Sequence, residues 1–103
     1  MGKHVVNMTF VVERALEGVF REWAASTLLP AARESKRFGE VKMLKILTEV
    51  DPEAVNYAVQ VSANDRAAVA GWWNDVAMLL LDDLHARVGQ RILFFMTEME
   101  VVE

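Results

Sequence analysis

The stretch Ala54–Ser62 has the sequence AVNYAVQVS, in which large apolar side chains alternate with small or polar ones. One set comprises Val55, Tyr57, Val59 and Val61, and the other comprises Asn56, Ala58, Gln60 and Ser62. A period of two among β-branched and aromatic residues is typical of a strand with one buried face. We therefore predict a β-strand here and interpret the rest of the chain around it.

Three further strands are predicted, at His4–Val12, Glu40–Glu49 and Arg91–Val102. The first of them is apolar on both faces, which favours a central position in a sheet. Lys42 and Lys45 fall on opposite faces of the second, and charge in both directions favours a sheet edge. Asp51-Pro52-Glu53 has the composition of a tight turn, so the second and third strands are expected to form a hairpin.

A first helix is predicted from Glu13 to about Arg37, because apolar residues recur there at helical spacing. Its expected buried stripe is Leu16, Val19, Phe20, Trp23 and Thr27. Pro30 lacks a backbone donor and disfavours helical geometry at the preceding residue. We therefore expect a kink or a restart of the helix at that point.

A second helix is predicted from the segment Ser62–Asp65 to about Val88, with Gly89 as its end. Its N-cap is either Asn64 or a capping box of Ser62 and Asp65. The main apolar stripe is Val69, Trp73, Val76, Leu80 and Leu84, and the apolar residues off it are Trp72, Met78, Leu79 and Leu81. We expect the second set to be buried in an interface or beneath a neighbouring element, and whether the paired tryptophans meet the sheet or a neighbour stays open.

The predicted order is β-α-β-β-α-β over a single domain spanning residues 1–103. Two interleaved, right-handed β-α-β units give an α+β, ferredoxin-like fold: an antiparallel sheet with strands one and three in the middle and both helices on one face. The other face is then uncovered although it carries many apolar residues. A second copy of the chain is the simplest cover.

Composition argues against several kinds of partner. The net charge is −4 and the pI is near 5.2, whereas a surface that binds phosphates needs a basic field. The predicted third strand has one aromatic residue and no Arg or Lys, unlike RNA-binding domains of this topology. We therefore expect no nucleic-acid partner.

Cysteine is absent, which excludes disulfides and thiolate chemistry and fits an intracellular protein. No run approaches the roughly 20 apolar residues of a membrane span, and the first residues do not form a signal-peptide pattern. The expected location is the cytoplasm, with no membrane partner.

Several short segments occur in a characteristic order over nearly the whole chain: Asn7-Met8-Thr9, Trp23 seven residues before Pro30, Phe38 ahead of Lys42-Met43-Leu44-Lys45-Ile46-Leu47, Tyr57-Ala58-Val59-Gln60, and Phe95-Met96-Thr97 leading to Glu100-Val101-Val102. In these segments the sequence resembles a small bacterial family of uncharacterised domains in the dimeric α+β barrel superfamily. The resemblance implies a ferredoxin-like fold and a homodimer in which two sheets close into a barrel. It implies no known activity.

The chain departs from that family at Leu28-Leu29-Pro30, where the family typically carries His-Ile-Pro. Any chemistry performed by that histidine in relatives is then lost in this chain.

Catalytic and metal-binding patterns are weak. The sequence has no recognisable triad, nucleophile elbow or phosphate-binding glycine loop. Asp82 and His85 are three residues apart and could share a helix face, but two ligands are fewer than a tight metal site needs. A partner for the helix dipole is the simpler interpretation of His85, and no metal or cofactor is expected.

The remaining candidate site is a pocket. Polar residues on predicted sheet faces together with aromatic walls resemble a small-molecule site. The candidate ligand-binding residues are Asn7, Thr9, Trp23, Tyr57, Gln60 and Phe95, with Trp72 and Thr97 as further lining residues. The competing interpretation is that the amides of Asn7 and Gln60, on adjacent strands, satisfy each other inside a dimer interface.

The leading functional hypothesis is a homodimeric module that binds a small molecule or a partner without evident catalysis. The alternative is a cofactor-independent monooxygenase or isomerase that uses the barrel interior, with His85 or a buried Glu98 as the titratable group. A third hypothesis is a purely structural subunit of a larger assembly.

Overall fold

Four antiparallel strands form one sheet, in the order β2-β3-β1-β4, in the computed structural model, which describes residues 4–35, 37–63 and 65–102. The strands are β1 (His4–Glu13), β2 (Glu40–Ile46), β3 (Ala54–Ala63) and β4 (Ile92–Glu100). The two central strands, the hairpin of β2 with β3 and the edge position of β2 all confirm the predictions. The second strand ends at Ile46 rather than Glu49, since the residues beyond it have no partner in the β2–β3 ladder.

Two helices, each interrupted by one π-helical turn, connect the strands. The first follows a 3₁₀ turn (Arg14–Leu16) and consists of α1 (Glu17–Trp23), a π turn (Ala24–Leu28) and α2 (Leu29–Glu34). The second consists of α3 (Arg66–Trp72), a π turn (Trp73–Ala77) and α4 (Met78–Val88), followed by a 3₁₀ turn (Gly89–Arg91). The resulting order confirms the ferredoxin-like α+β prediction.

The π turns shift which residues of each helix face the sheet. A π turn inserts one extra residue, so buried positions that flank it are five apart instead of three or four. In the first helix, Trp23 and Ala24 are buried, and the next buried residue is Leu28, not Thr27. In the second helix, the buried residue after Trp72 is Ala77, and Trp73 is only partly buried.

The first helix therefore confirms its predicted stripe only in part. Phe20 and Trp23 are buried as expected, but the prediction for Val19 is wrong, because that side chain is 49% exposed. The restart predicted near Pro30 is confirmed, since α2 begins at Leu29 directly after the π turn. The position at which relatives are expected to carry histidine, Leu28, lies in the hydrophobic core.

The ends of the second helix follow simple capping chemistry. Asp65 is the N-cap, and its carboxylate accepts a bond of 2.9 Å from the backbone N–H of Ala68. The capping-box alternative is wrong, because Ser62 belongs to β3 and its hydroxyl accepts from the backbone N–H of Glu40. The other candidate cap, Asn64, lies outside the described residues. Gly89 ends the helix as predicted, at a φ of 62° that favours glycine.

The hydrophobic core lies between the helices and one face of the sheet. Alternate residues of the central strands face the helices, and they are Val6, Met8, Phe10 and Val12 of β1 and Val55, Tyr57, Val59 and Val61 of β3. Phe10 is at the centre of an aromatic cluster, with ring centroids 4.9 Å from Phe20, 5.7 Å from Phe94 and 6.2 Å from Trp23. Both helices thus cover the same face, as expected.

Four apolar residues of the second helix were expected in an interface or beneath a neighbouring element. One of them, Trp72, lies in the chain's own core, where its ring contacts Phe38 edge-on with centroids 5.3 Å apart. Met78 and Leu79 are 45% and 67% exposed. Leu81 is partly buried.

A hydrogen-bonded group ties α1 to the edge strand. The Glu17 carboxylate accepts a bond of 2.7 Å from the Tyr57 hydroxyl and lies 2.9 Å from the Lys45 ammonium. The Tyr57 hydroxyl and then Lys45 lower the pKa of Glu17 below its usual 4.5. Burial, followed by the Glu17 carboxylate, raises the pKa of Tyr57 above 10.0.

Adjacent substitutions in α1 test the helix phase. Phe20→Ala removes a fully buried ring and should lower the free energy of unfolding by about 3–5 kcal/mol. Val19→Ala, at the exposed neighbouring position, should change it by less than about 0.5 kcal/mol. Urea unfolding at fixed protein concentration measures both, and similar losses in the two variants would contradict the observed phase.

The Glu17 group should make stability depend on pH. Because folding lowers the pKa of this carboxyl, its contribution is complete above pH 4.5 and is lost as the pH falls through the folded-state pKa. Glu17→Gln should therefore cost about 1 kcal/mol at neutral pH and nothing in strong acid. Urea unfolding across this range measures the difference, with Glu22→Gln on the same helix as the control for one lost charge. A cost that persists in strong acid would contradict this account.

Candidate functional site on the open sheet face

The candidate site is the sheet face that the helices leave uncovered, which we call the open face. Strand pairing places side chains there in rows that run across all four strands. In the central row Asn7 of β1 pairs with Gln60 of β3 and with Thr97 of β4, and Gln60 pairs with Lys42 of β2. We call this set the polar row: Lys42, Gln60, Asn7 and Thr97.

The flanking row that contains Thr9 is mainly apolar, whereas the row that contains Val5 is half polar, because Glu40 pairs there with Ser62. On one side Thr9 pairs with Ala58 and Phe95, and Ala58 pairs with Leu44. On the other side Val5 pairs with Ser62 and Met99. Five large apolar side chains of the open face are each 38–55% exposed, namely Leu44, Ile46, Leu93, Phe95 and Met99. Several large, exposed apolar side chains on one face favour an interaction surface.

Hydrogen bonds join the polar row to the next row. The Gln60 side-chain nitrogen donates to the Asn7 carbonyl oxygen at 3.2 Å, and the Asn7 nitrogen donates to the Thr9 hydroxyl at 2.8 Å. The two amides therefore engage each other, as the competing interpretation expected. Within the described part of the chain, the side-chain oxygen of Gln60 and the hydroxyl proton of Thr9 stay available for another molecule.

The structure brings together four of the six predicted ligand-binding residues. Asn7, Thr9, Gln60 and Phe95 lie on the open face, where Thr97 joins them. Trp23 and Tyr57 lie on the other face, inside the core with Trp72, so they do not line one pocket with the first four. The alternation in Ala54–Ser62 already separates Tyr57 from Gln60, and this signal distinguishes the two faces without a structure.

Lys42 is a further residue of this face that the sequence pattern did not group with the amides. Its position on an edge strand confirms the prediction, but only the β2–β3 register sets it beside Gln60. Its ammonium lies 3.5 Å from the Glu40 carboxylate and is largely exposed. The polar row thus contains one cation at the sheet edge and three neutral groups inward from it.

The titratable candidates lie away from the open face. The expectation of a buried Glu98 is wrong: this side chain is 38% exposed on the helix-covered face of β4, where it pairs with Arg66 at 3.2 Å. Asp82 and His85 are exposed on α4. Among the described residues, no group of three or more acidic or histidine side chains is placed to hold a metal ion. No helix in the described ranges is long and apolar enough to cross a membrane.

Solved structures of other proteins share this architecture. A protein of unknown function from Nitrosomonas europaea is 16% identical with a TM-score of 0.69, over 100% of this chain and 92% of that one. A candidate antibiotic biosynthesis monooxygenase from Bacillus cereus is 13% identical with a TM-score of 0.66, over 100% and 96%. A dimeric ferredoxin-like protein from an uncultured marine organism is 12% identical with a TM-score of 0.59, over 100% and 98%.

At these identities the likeness shows the fold alone, which is the ferredoxin-like α+β arrangement. The family described as Domain of unknown function (DUF4286) matches residues 3–102, and the chain belongs to it. This confirms the resemblance to an uncharacterised family. No curated protein matches the sequence.

Proposed function

We propose that the protein is a homodimeric binding module in which a second copy covers the open face and closes an α+β barrel. The observation that carries this proposal is an apolar, half-exposed sheet face with a polar row through its middle. A similar fold is described as dimeric in the protein from the uncultured marine organism. In a two-fold arrangement the same face of each copy meets the other, so the apolar rows are buried on both sides.

The polar row favours one alignment of the two sheets in such a dimer. Burying the free oxygen of Gln60 or the hydroxyl of Thr9 without a partner costs about 1–3 kcal/mol per group. Arrangements that leave these groups opposite apolar side chains are therefore disfavoured. A single Asn inside a coiled coil selects register in the same way.

The interior of the proposed barrel is where we place a small-molecule ligand. Asn7, Thr9, Gln60 and Phe95 would lie between the sheets and supply a few polar contacts among apolar walls, as in ordinary ligand sites. The monooxygenase-like alternative rests on fold similarity, which does not determine chemistry. A location in the cytoplasm and a bacterial origin stay predictions.

The mass in solution tests the dimer. Light scattering on a sizing column should give twice the 11.6 kDa of one chain over a range of concentrations. Phe95→Glu buries a charge from each copy and should weaken association by about 100-fold or more. The matched control is Leu79→Glu, an exposed apolar residue on the helix side, which should leave the dimer intact. A monomeric wild type, or equal effects of the two variants, would contradict the proposal.

A dye-monitored thermal-shift screen against small polar, aromatic and acidic metabolites tests ligand binding. A ligand held by the polar row should raise the melting temperature of the wild type but not of Gln60→Leu, which lacks the amide. Gln90→Leu, an exposed glutamine outside the sheet, is the matched control and should keep the shift. A ligand whose concentration persists indicates binding, whereas one that is consumed indicates turnover. Shifts that Gln60→Leu leaves unchanged would argue against a ligand in the barrel.

A further inference from the structure

A cavity of about 460 Å³ lies between the second helix and the edge strand β4, on the helix-covered side of the sheet. This volume is within the range of about 300–1,000 Å³ found for small-molecule sites. The cavity is separated from the open face by the sheet itself. It therefore exists in a single chain, whether or not a second copy covers the open face.

The walls of this cavity are mostly apolar, with a flat aromatic surface on one side. Trp73 and Val69 contribute from the second helix and Met96 contributes from β4. The indole of Trp73 is held by Phe94, with ring centroids 5.6 Å apart and 31° between the planes. Because the π turn begins at Trp73, this ring lies beside the core rather than within it and borders the cavity. An indole and a thioether together favour an aromatic ring.

An ion pair at the cavity positions a cation for ligand binding. Arg66 donates through Nε and Nη2, at 3.3 and 3.2 Å, one bond to each oxygen of the Glu98 carboxylate. This bidentate contact fixes the plane of the guanidinium. Among the described residues its third nitrogen, Nη1, makes no hydrogen bond, and the amide of Asn74 borders the same cavity.

This part of the cavity offers four N–H donors, two on Nη1 of Arg66 and two on the Asn74 amide. Each Glu98 oxygen already accepts one bond from Arg66. A ligand that accepts hydrogen bonds suits these groups, and a negative charge suits the guanidinium. A carboxylate meets both requirements.

We propose that this cavity binds a small aromatic monocarboxylate, with its ring between Trp73 and Met96 and its carboxylate on Nη1 of Arg66 and the amide of Asn74. The chemistry is that of a benzoate, a phenylacetate or a phenylpropionate. The site is distinct from the barrel interior, and it holds its ligand in the monomer and in the dimer alike.

Titration of ¹⁵N-labelled protein with benzoate, phenylacetate and 3-phenylpropionate tests the proposal. Of the tryptophan indole N–H signals, that of Trp73 should move in a saturable way, while those of the core residues Trp23 and Trp72 should move little. The neutral amides of the three acids serve as matched ligands and should bind at least tenfold more weakly. Absence of a saturable shift at Trp73 with all three acids would overturn the proposal.

Three variants assign the binding groups without disturbing the core. Arg66→Gln should weaken the acids at least tenfold and leave the amides unchanged, whereas Arg87→Gln, an exposed and ion-paired arginine on the same helix, should change neither. Ala70→Leu fills the cavity from an exposed helical position and should abolish binding while the protein stays folded. If the wild type bound the acids and their amides with equal affinity, or if Ala70→Leu bound the acids normally, the proposed carboxylate site would be overturned. Both outcomes are independent of the mass measured for the Phe95→Glu variant.

Discussion

Both helices pack on the same face of the sheet, and the rest of the structure depends on this one-sided arrangement. Crossovers from β1 to β2 and from β3 to β4 bring the two helices over Phe10 and its aromatic neighbours. That packing buries one set of alternate residues in the two central strands. The other set remains on the open face, where large apolar side chains are about half exposed in a single chain. A single chain therefore fills its own hydrophobic core but leaves apolar side chains of the open face exposed to solvent.

The two π turns place the tryptophans in different environments. Trp23 and Leu28 are buried five positions apart, as are Trp72 and Ala77, because each pair spans one π turn. Trp72 consequently enters the core against Phe38, and Trp73 moves to the edge against Phe94. The Trp73 ring forms one wall of the cavity beside β4. π turns are frequently found at functional sites, and here one begins at the aromatic residue that borders this cavity.

Much of the candidate site followed from alternation and from strand order. Asn7 and Gln60 were expected on adjacent strands, and they form a hydrogen bond between paired positions. Trp23 and Tyr57 were grouped with them because aromatic residues suggested pocket walls, yet both lie across the sheet in the core. Side-chain type was the weaker guide, whereas the period of two, which assigns Tyr57 and Gln60 to opposite faces, was the reliable one.

The sequence by itself determined the four strands, the two helices, the Asp51-Pro52-Glu53 turn and the helix end at Gly89. These features depend on alternation, turn chemistry and capping, which act between residues a few positions apart. The tertiary structure decided the row that Lys42 shares with Gln60, the burial of Leu28 in place of Thr27, and the cavity beside Trp73. Register and helix phase depend on which distant side chains fill the same space, and such contacts leave no local pattern in the chain.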